Sequence, residues 1–181
     1  GDNSVSSFDN NNNNNNNSPE VRINQCRMVL IANIEEMATL NLIHTKKVVT
    51  TYLSTNISQI IEKTQKHQRL QFELFDAFVR GVADPQNENN TDESPDNSNN
   101  IDELLTPQQM LIYIGQLATF RPSDLLHFLT VHHQYPLDDV LKICRTKGIF
   151  DATAFLLERA GDFQAALDLC ISEIGSSIQK I

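Results

Sequence analysis

The sequence predicts an all-α fold, an α-solenoid of stacked helical hairpins, and three observations carry that expectation. Helix start and stop signals recur at close intervals, with apolar residues spaced to share helix faces. Strand signals are nearly absent: no Asn-Gly or Asp-Gly hairpin turn occurs, and no segment alternates apolar and polar residues for long. The third observation is an internal echo. Leu137 to Cys144 reads LDDVLKIC and Phe163 to Cys170 reads FQAALDLC, an offset of 26 residues. Two short helices fit that period, and such a pair cannot bury its apolar face alone, so neighbours stack. A closed bundle of similar hairpins is the alternative architecture.

The helical segments follow in order. Ser18-Pro19 offers an N-cap and a first-turn proline ahead of Val29, Leu30, Ile34 and Met37. Thr45 is placed to cap a helix carrying Val48, Val49, Tyr52 and Leu53. Asn56 with Gln59 resembles a capping box, followed by Ile57, Ile60 and Ile61 on one face. Leu70, Leu74, Phe75, Phe78 and Val79 define the next helix, ended by Gly81. Thr106-Pro107-Gln108-Gln109 then combines an N-cap, a first-position proline and a glutamine that reaches back. Its expected buried stripe is Leu111, Ile114, Leu117 and Ala118.

Pro122 is expected to open a helix holding Leu125, Leu126, Phe128 and Leu129 inside. Pro136 opens another, with Asp138 and Asp139 in its first turn and Arg145 and Lys147 in its last, which suits the helix dipole at both ends. Gly148 is placed to terminate it. A helix from Asp151 to Ala160 closes at Gly161, and Asp162 caps the last helix from Phe163 onward. Gly81, Pro107, Pro122, Pro136, Gly148 and Gly161 are thus the expected structural turn residues.

Composition sets the domain plan. An unbroken asparagine run from Asn10 to Asn17 and a polar, acidic segment after Gly81 bury too little apolar surface to offset the entropy of ordering them. The expected plan is a disordered tail over 1–18, helical hairpins over 19–81, a disordered insert over 82–104 and helical repeats over 105–181. Roughly 140 residues remain to fold, and a domain of that size buries about 70% of its unfolded surface, enough for a core without disulfides or metals.

With 14 basic and 23 acidic residues the net charge is −9, a poor match for nucleic acid or anionic lipid. Cys26, Cys144 and Cys170 are odd in number and share no framework spacing. They read as small hydrophobes in a reducing compartment. The longest apolar stretch is broken by Asn33 and falls far short of the ~20 residues of a membrane span, so no direct membrane insertion is expected.

No constellation of catalytic chemistry stands out. His127, His132 and His133 lack the spacing of a metal pair on one helix face, and His132 and His133 fall where a helix should end. The acidic residues of the insert lack the fixed spacing and central glycine of a cation loop. No glycine-rich phosphate cradle occurs, since the glycines fall at helix ends. Neither a catalytic residue, nor a cofactor, nor a metal is expected, and the chain reads as a protein-binding scaffold, not an enzyme.

The stretch YPLDDVLKICRTKGIFDATAFLLERAGDFQAALDL, Tyr135 to Leu169, resembles the clathrin-heavy-chain-type helical repeats of the large vacuolar protein sorting tethers. The likeness rests on a helix stop at Gly148, the D-A-x-A helix around Phe150 to Ala154, the E-R-x-G-D turn of Glu158 to Asp162, and Ala166 with Leu169 beyond it. Asn33 to Leu53 is similar to the solenoid of the same proteins.

The resemblance implies a scaffold segment of an endosomal tether of the CORVET type, cytoplasmic and peripheral on endosomal membranes. It implies other tether subunits as partners, and a Rab GTPase bound through parts of the parent protein outside this chain. The sibling tether HOPS, a clathrin-like coat and a freestanding TPR-like peptide-binding adaptor are the alternatives. The adaptor should show polar and aromatic gripping residues on one helix of each pair, and the sequence displays none plainly.

Overall fold

The computed structural model describes residues 18–81 and 105–178, with side chains to residue 175. The asparagine run and the segment 82–104 lie outside the described residues, and so do the expectations made for them. Among the described residues every regular element is a helix. The first block holds α1 (Pro19–Ala32), α2 (Ile34–Leu40), α3 (Leu42–Tyr52), α4 (Ile57–Lys63) and α5 (Gln68–Arg80). The second holds α6 (Pro107–Phe120), α7 (Leu125–Val131), α8 (Leu137–Lys147), α9 (Phe150–Arg159) and α10 (Phe163–Ile178). Short 3-10 turns at Ser54–Asn56 and Pro122–Asp124 lead into α4 and α7.

The chain is an α-solenoid, in which each helix packs on elements near it in sequence. In the second block α6 packs on α8 and α7 on α9, forming two layers, while α8, α9 and α10 succeed one another. In the first block α3 packs on α5 and α1 on α4. The two blocks meet where α5 packs on α6.

Local chemistry accounts for the helix ends. Ser18 Oγ accepts the Val21 N–H at 3.3 Å. Thr106 and Gln109 form both bonds of the capping box, at 3.3 and 2.9 Å. Asp162 Oδ1 accepts the Ala165 N–H at 3.2 Å. Gly148 and Gly161 end α8 and α9 in one manner. Their φ values are 67° and 82°, and the residue after each donates five residues back, Ile149 to Cys144 O and Asp162 to Leu157 O. Gly81 after α5 also has positive φ, at 78°.

Several local expectations are corrected. The apolar stretch beyond Pro19 is two helices: Asn33 interrupts it, its side chain bonding back to Val29 O at 2.8 Å. Ile31 and Ile34 are the buried residues there, and Val29 is exposed. Asn41, not Thr45, caps α3 by accepting the His44 N–H, while Thr45 is buried inside and donates to Asn41 O. Asn56 spends its amide on the Gln59 side chain and caps nothing. Pro122 begins a 3-10 turn ahead of α7, and Pro136 is the N-cap of α8, one position before its first residue. Of the α6 stripe Leu111 is only partly buried, and Met110 and Tyr113 fill the core instead. Cys144 alone among the cysteines is buried; Cys26 and Cys170 are exposed.

Two apolar clusters form the core, and α5 is the wall between them. Leu74 joins Ile31, Ile34, Val49, Leu53 and Ile60 on one side. Phe72, Phe75 and Phe78 join Tyr113, Ile114, Leu117, Leu125 and Phe128 on the other. Being buried on both faces, α5 has little room for charge, yet Asp76 sits within it at 8% exposure. Its carboxylate accepts the Tyr113 O–H at 2.8 Å, pairs with Arg80 at 3.0 Å and bonds Arg121. Arg80 also reaches Asp124 at 3.1 Å, and Arg121 lies over the Phe72 ring at 5.1 Å. Burial pushes the Tyr113 phenol well above its ordinary value, and the adjacent Asp76 carboxylate pushes the same way.

These features set two expectations. A Cβ at Gly148 or Gly161 would meet nothing within 4 Å, so only the left-handed backbone opposes substitution. Gly161→Val is expected to cost about 1–2 kcal/mol, read by thermal melting, and an unchanged melt would reject the turn's need for glycine.

Removing the Asp76 carboxylate leaves two arginines, each still about a third exposed, without their partner. Asp76→Ala should therefore cost about 1–3 kcal/mol in urea unfolding, less than a fully buried pair would. At high pH the folded Tyr113 binds its proton more tightly than the unfolded chain does. Stability should fall as pH rises past about 10, and Tyr113→Phe should flatten that alkaline slope.

Candidate interaction surfaces

Two of the residues that carry the repeat resemblance, Tyr135 and Arg159, come together at the α7–α8 turn. Tyr135 is buried there and donates its O–H to Leu129 O at 3.2 Å. Arg159, from the last turn of α9, donates to the Tyr135 oxygen at 2.8 Å and to His133 O at 3.3 Å. Its guanidinium lies over the Tyr135 ring at 5.1 Å and within 3.1 Å of His133 Nδ1. Arg159 therefore ties the end of the α8–α9 hairpin to the turn that opened it. The tyrosine and the E-R-x-G-D turn stand 24 residues apart and make one contact. Sequence reading found both pieces without joining them.

His132 serves as the C-cap of α7, its backbone N–H bonding Phe128 O at 3.0 Å and its ring against Phe128 at 4.5 Å. Burial pushes the Cys144 thiol up to about 11, with the Asp151 carboxylate adding to the shift, so this cysteine is protonated and unreactive at neutral pH. Burial would raise the Glu73 carboxyl, but hydrogen bonds and charge from Lys46 and Arg69 outweigh it and hold it below its ordinary value. Lys46 of α3 is 2.7 Å from Glu73 of α5, so that pair joins two helices of the first block. Each perturbed group is explained by packing or helix-to-helix contact. Among the described residues no group of three or more His, Cys, Asp or Glu is placed to hold a metal ion.

Two open surfaces among the described residues differ sharply in chemistry. The first is a polar groove of about 690 Å³ between α4, α5 and α6, rich in glutamine. Gln71 donates to Ile61 O, and its own oxygen takes the Gln116 amide N–H. Gln109 donates to Ser58 Oγ at 2.7 Å. The amides thus knit the groove's own walls, with Gln116 Oε1 left buried and unpaired. Sequence reading overlooked this set, although Gln68 with Gln71 and Gln109 with Gln116 stand at spacings that share a helix face.

The second surface lies along α10. Phe163, Leu167, Ile171 and Ile174 are 56–65% exposed and stand at spacings of three and four, forming one apolar stripe. A groove of about 720 Å³ beside it is walled by Ile149, Phe150 and Ala154 of the α8–α9 region and by Leu169, Cys170 and Ile174 of α10. Water-facing apolar side chains in such a row mark a surface built to be covered. Among the described residues no helix is long and apolar enough to cross a membrane.

A family model described as the Vps41 TPR-like region matches residues 107–181, which covers α6 to α10. The vacuolar protein sorting-associated protein 8 homolog of Mus musculus is 26% identical over 151 residues, covering 82% of this chain and 10% of that protein. Its Homo sapiens counterpart is 27% identical over 149 residues, with the same coverage of each. The chain thus spans about a tenth of the length of these relatives. No solved structure matches it. The likeness to the vacuolar protein sorting-associated protein 8 proteins extends over both helical blocks.

Because Arg159 makes the Tyr135, His133 and ring contacts together, Arg159→Ala should destabilise the second block by about 1–2 kcal/mol. Arg159→Lys should recover little of that, since an ammonium cannot stack flat on the ring. Urea unfolding of the two variants against the parent chain checks both statements, and two wild-type midpoints would remove the turn contact from the account.

Proposed function

We propose that this chain is a non-catalytic scaffold segment of a membrane-tethering complex in vesicle-mediated transport to the vacuole or lysosome. The observation that carries this reading is the likeness to vacuolar protein sorting-associated protein 8 homologs over 82% of a chain folded as a helical solenoid. The solenoid form suits the role. Stacked hairpins make a long body in which each unit contacts only its neighbours, giving spacing and docking surface without a catalytic pocket. Its groups with shifted proton affinity serve packing and helix pairing.

The finer reading is a CORVET-type tether, peripheral on endosomal membranes from the cytoplasmic side. Its partners are the other tether subunits and a Rab GTPase, the latter reached through parts of the longer protein. In this reading 19–81 and 105–181 are stretches of one solenoid, and 82–104 is a loop expansion between them. Gly81, Pro107, Pro122, Pro136, Gly148 and Gly161 shape the chain reversals and contact no ligand.

Affinity purification of the tagged parent protein from its own cells, with mass spectrometry of what it retains, tests the assignment. Propeller-and-solenoid tether subunits together with an early endosomal Rab are expected. Coat components, or late-endosomal HOPS subunits alone, would keep the solenoid and move it to another complex.

A further inference from the structure

The internal echo assigns structural equivalents to the first part of the open face of α10, Phe163, Leu167 and Cys170. At the offset of 26, Leu137, Leu141, Ile143 and Cys144 of α8 correspond to Phe163, Leu167, Leu169 and Cys170 of α10. In α8 these positions face two ways. Ile143 faces back toward α6, where its Cδ1 would lie 3.9 Å from a Cβ on Gly115. Cys144 faces forward: it is fully buried, its carbonyl takes the Ile149 N–H, and α9 packs against its helix.

In α10 the backward position is likewise engaged, with Leu169 half-buried and the helix packed on α9. The other positions differ. Cys170 is exposed where Cys144 is buried, and Phe163 and Leu167 are 65% and 56% exposed where Leu137 and Leu141 pack against the core. The same sequence pattern is thus satisfied on α8, which has a following helix packed on it, and unsatisfied on α10.

We propose that the Phe163–Leu167–Cys170–Ile174 face of α10 is the seat of a further helix of the same repeat type, supplied by the longer protein and packed on α10 as α9 packs on α8. The relatives, several times the length of this chain, have ample residues to supply it. This occupant meets the chemistry of the face: the stripe is apolar and continuous with the interior of the solenoid through the groove lined by Ile149 and Ala154. A helix of this kind buries that groove in the same step. The inference rests on the solenoid reading of the fold and is independent of which complex the protein serves.

Cysteine labelling tests it, because Cys170 lies in the stripe and Cys144 reports whether the fold is intact. The 181-residue chain and the full-length protein, stripped of partners in high salt, are treated with N-ethylmaleimide and mapped by peptide mass spectrometry. Cys170 should react freely in the short chain and on the order of tenfold or more slowly in the full-length protein, while Cys144 is slow in both. Leu167→Asp in the full-length protein should restore Cys170 labelling and leave Cys144 slow.

Equal Cys170 labelling in the two proteins overturns the proposal. So does protection that appears in the short chain together with a dimer mass by light scattering, since a second copy would then be the occupant. Loss of protection when partners are stripped would give the face to another protein, and that also overturns it. If Cys170 is protected but no tether subunit is recovered by affinity purification, the proposed function fails and this inference stands.

Discussion

The Asp76 carboxylate is the constraint around which the two halves of the molecule are arranged. Its helix, α5, is buried on both sides, so the charge can exist there only if fully answered. Arg80 answers it from the same helix, while Tyr113 and Arg121 answer it from α6 and its end. Those partners lie on the far side of the segment 82–104. The ion and hydrogen-bond network therefore fixes how α6 crosses α5, independently of the length of chain between them. Asp124 extends the network to the 3-10 turn before α7 by pairing with Arg80. A desolvated charge gives a single well-defined crossing, whereas phenylalanines alone would tolerate several.

From that junction the solenoid grows by a repeated local solution. A left-handed glycine ends α8 and again ends α9, with the same five-residue backbone bond across each turn. Arg159 then ties the second helix of the pair to Tyr135 at the start of the first. The hairpin is thus closed by polar contacts at one end and by apolar packing along its length. None of this satisfies the outer face of the last helix. Stacking against a further helix satisfies such a face, which is why the fold and the proposed scaffold role have the same physical origin.

Much of the fold could be read from residues in sequence. The Thr106-Pro107-Gln108-Gln109 box states the start of α6 by itself, because both of its bonds are local. Pro136, Asp138, Arg145 and Gly148 frame α8 in the same way. Errors arose where two local solutions competed. Asn41 and Thr45 both lie near the start of α3, and the choice fell to Asn41 because Thr45 is drawn into the core. Asn33 interrupts a run that looks continuous by spacing, since its side chain captures the Val29 carbonyl. Of the candidate site, the turn residues and the echo were visible, but the fate of Cys170 was not. It holds the place of Cys144 in the echo, yet it is exposed where Cys144 is buried.

By itself, the sequence determined the helical class and many of the helix ends, because capping bonds, proline placement and apolar spacing act within a few residues. It also carried the family likeness in the Tyr135 to Leu169 stretch. Tertiary structure decided that Tyr135 and Arg159 are one contact, that Asp76 holds α5 against α6, and that Gln71 and Gln116 bond across the polar groove. It also decided which of two matching helix faces is buried. Those outcomes depend on residues brought together from 24 to 45 positions apart, and no local propensity encodes such a distance.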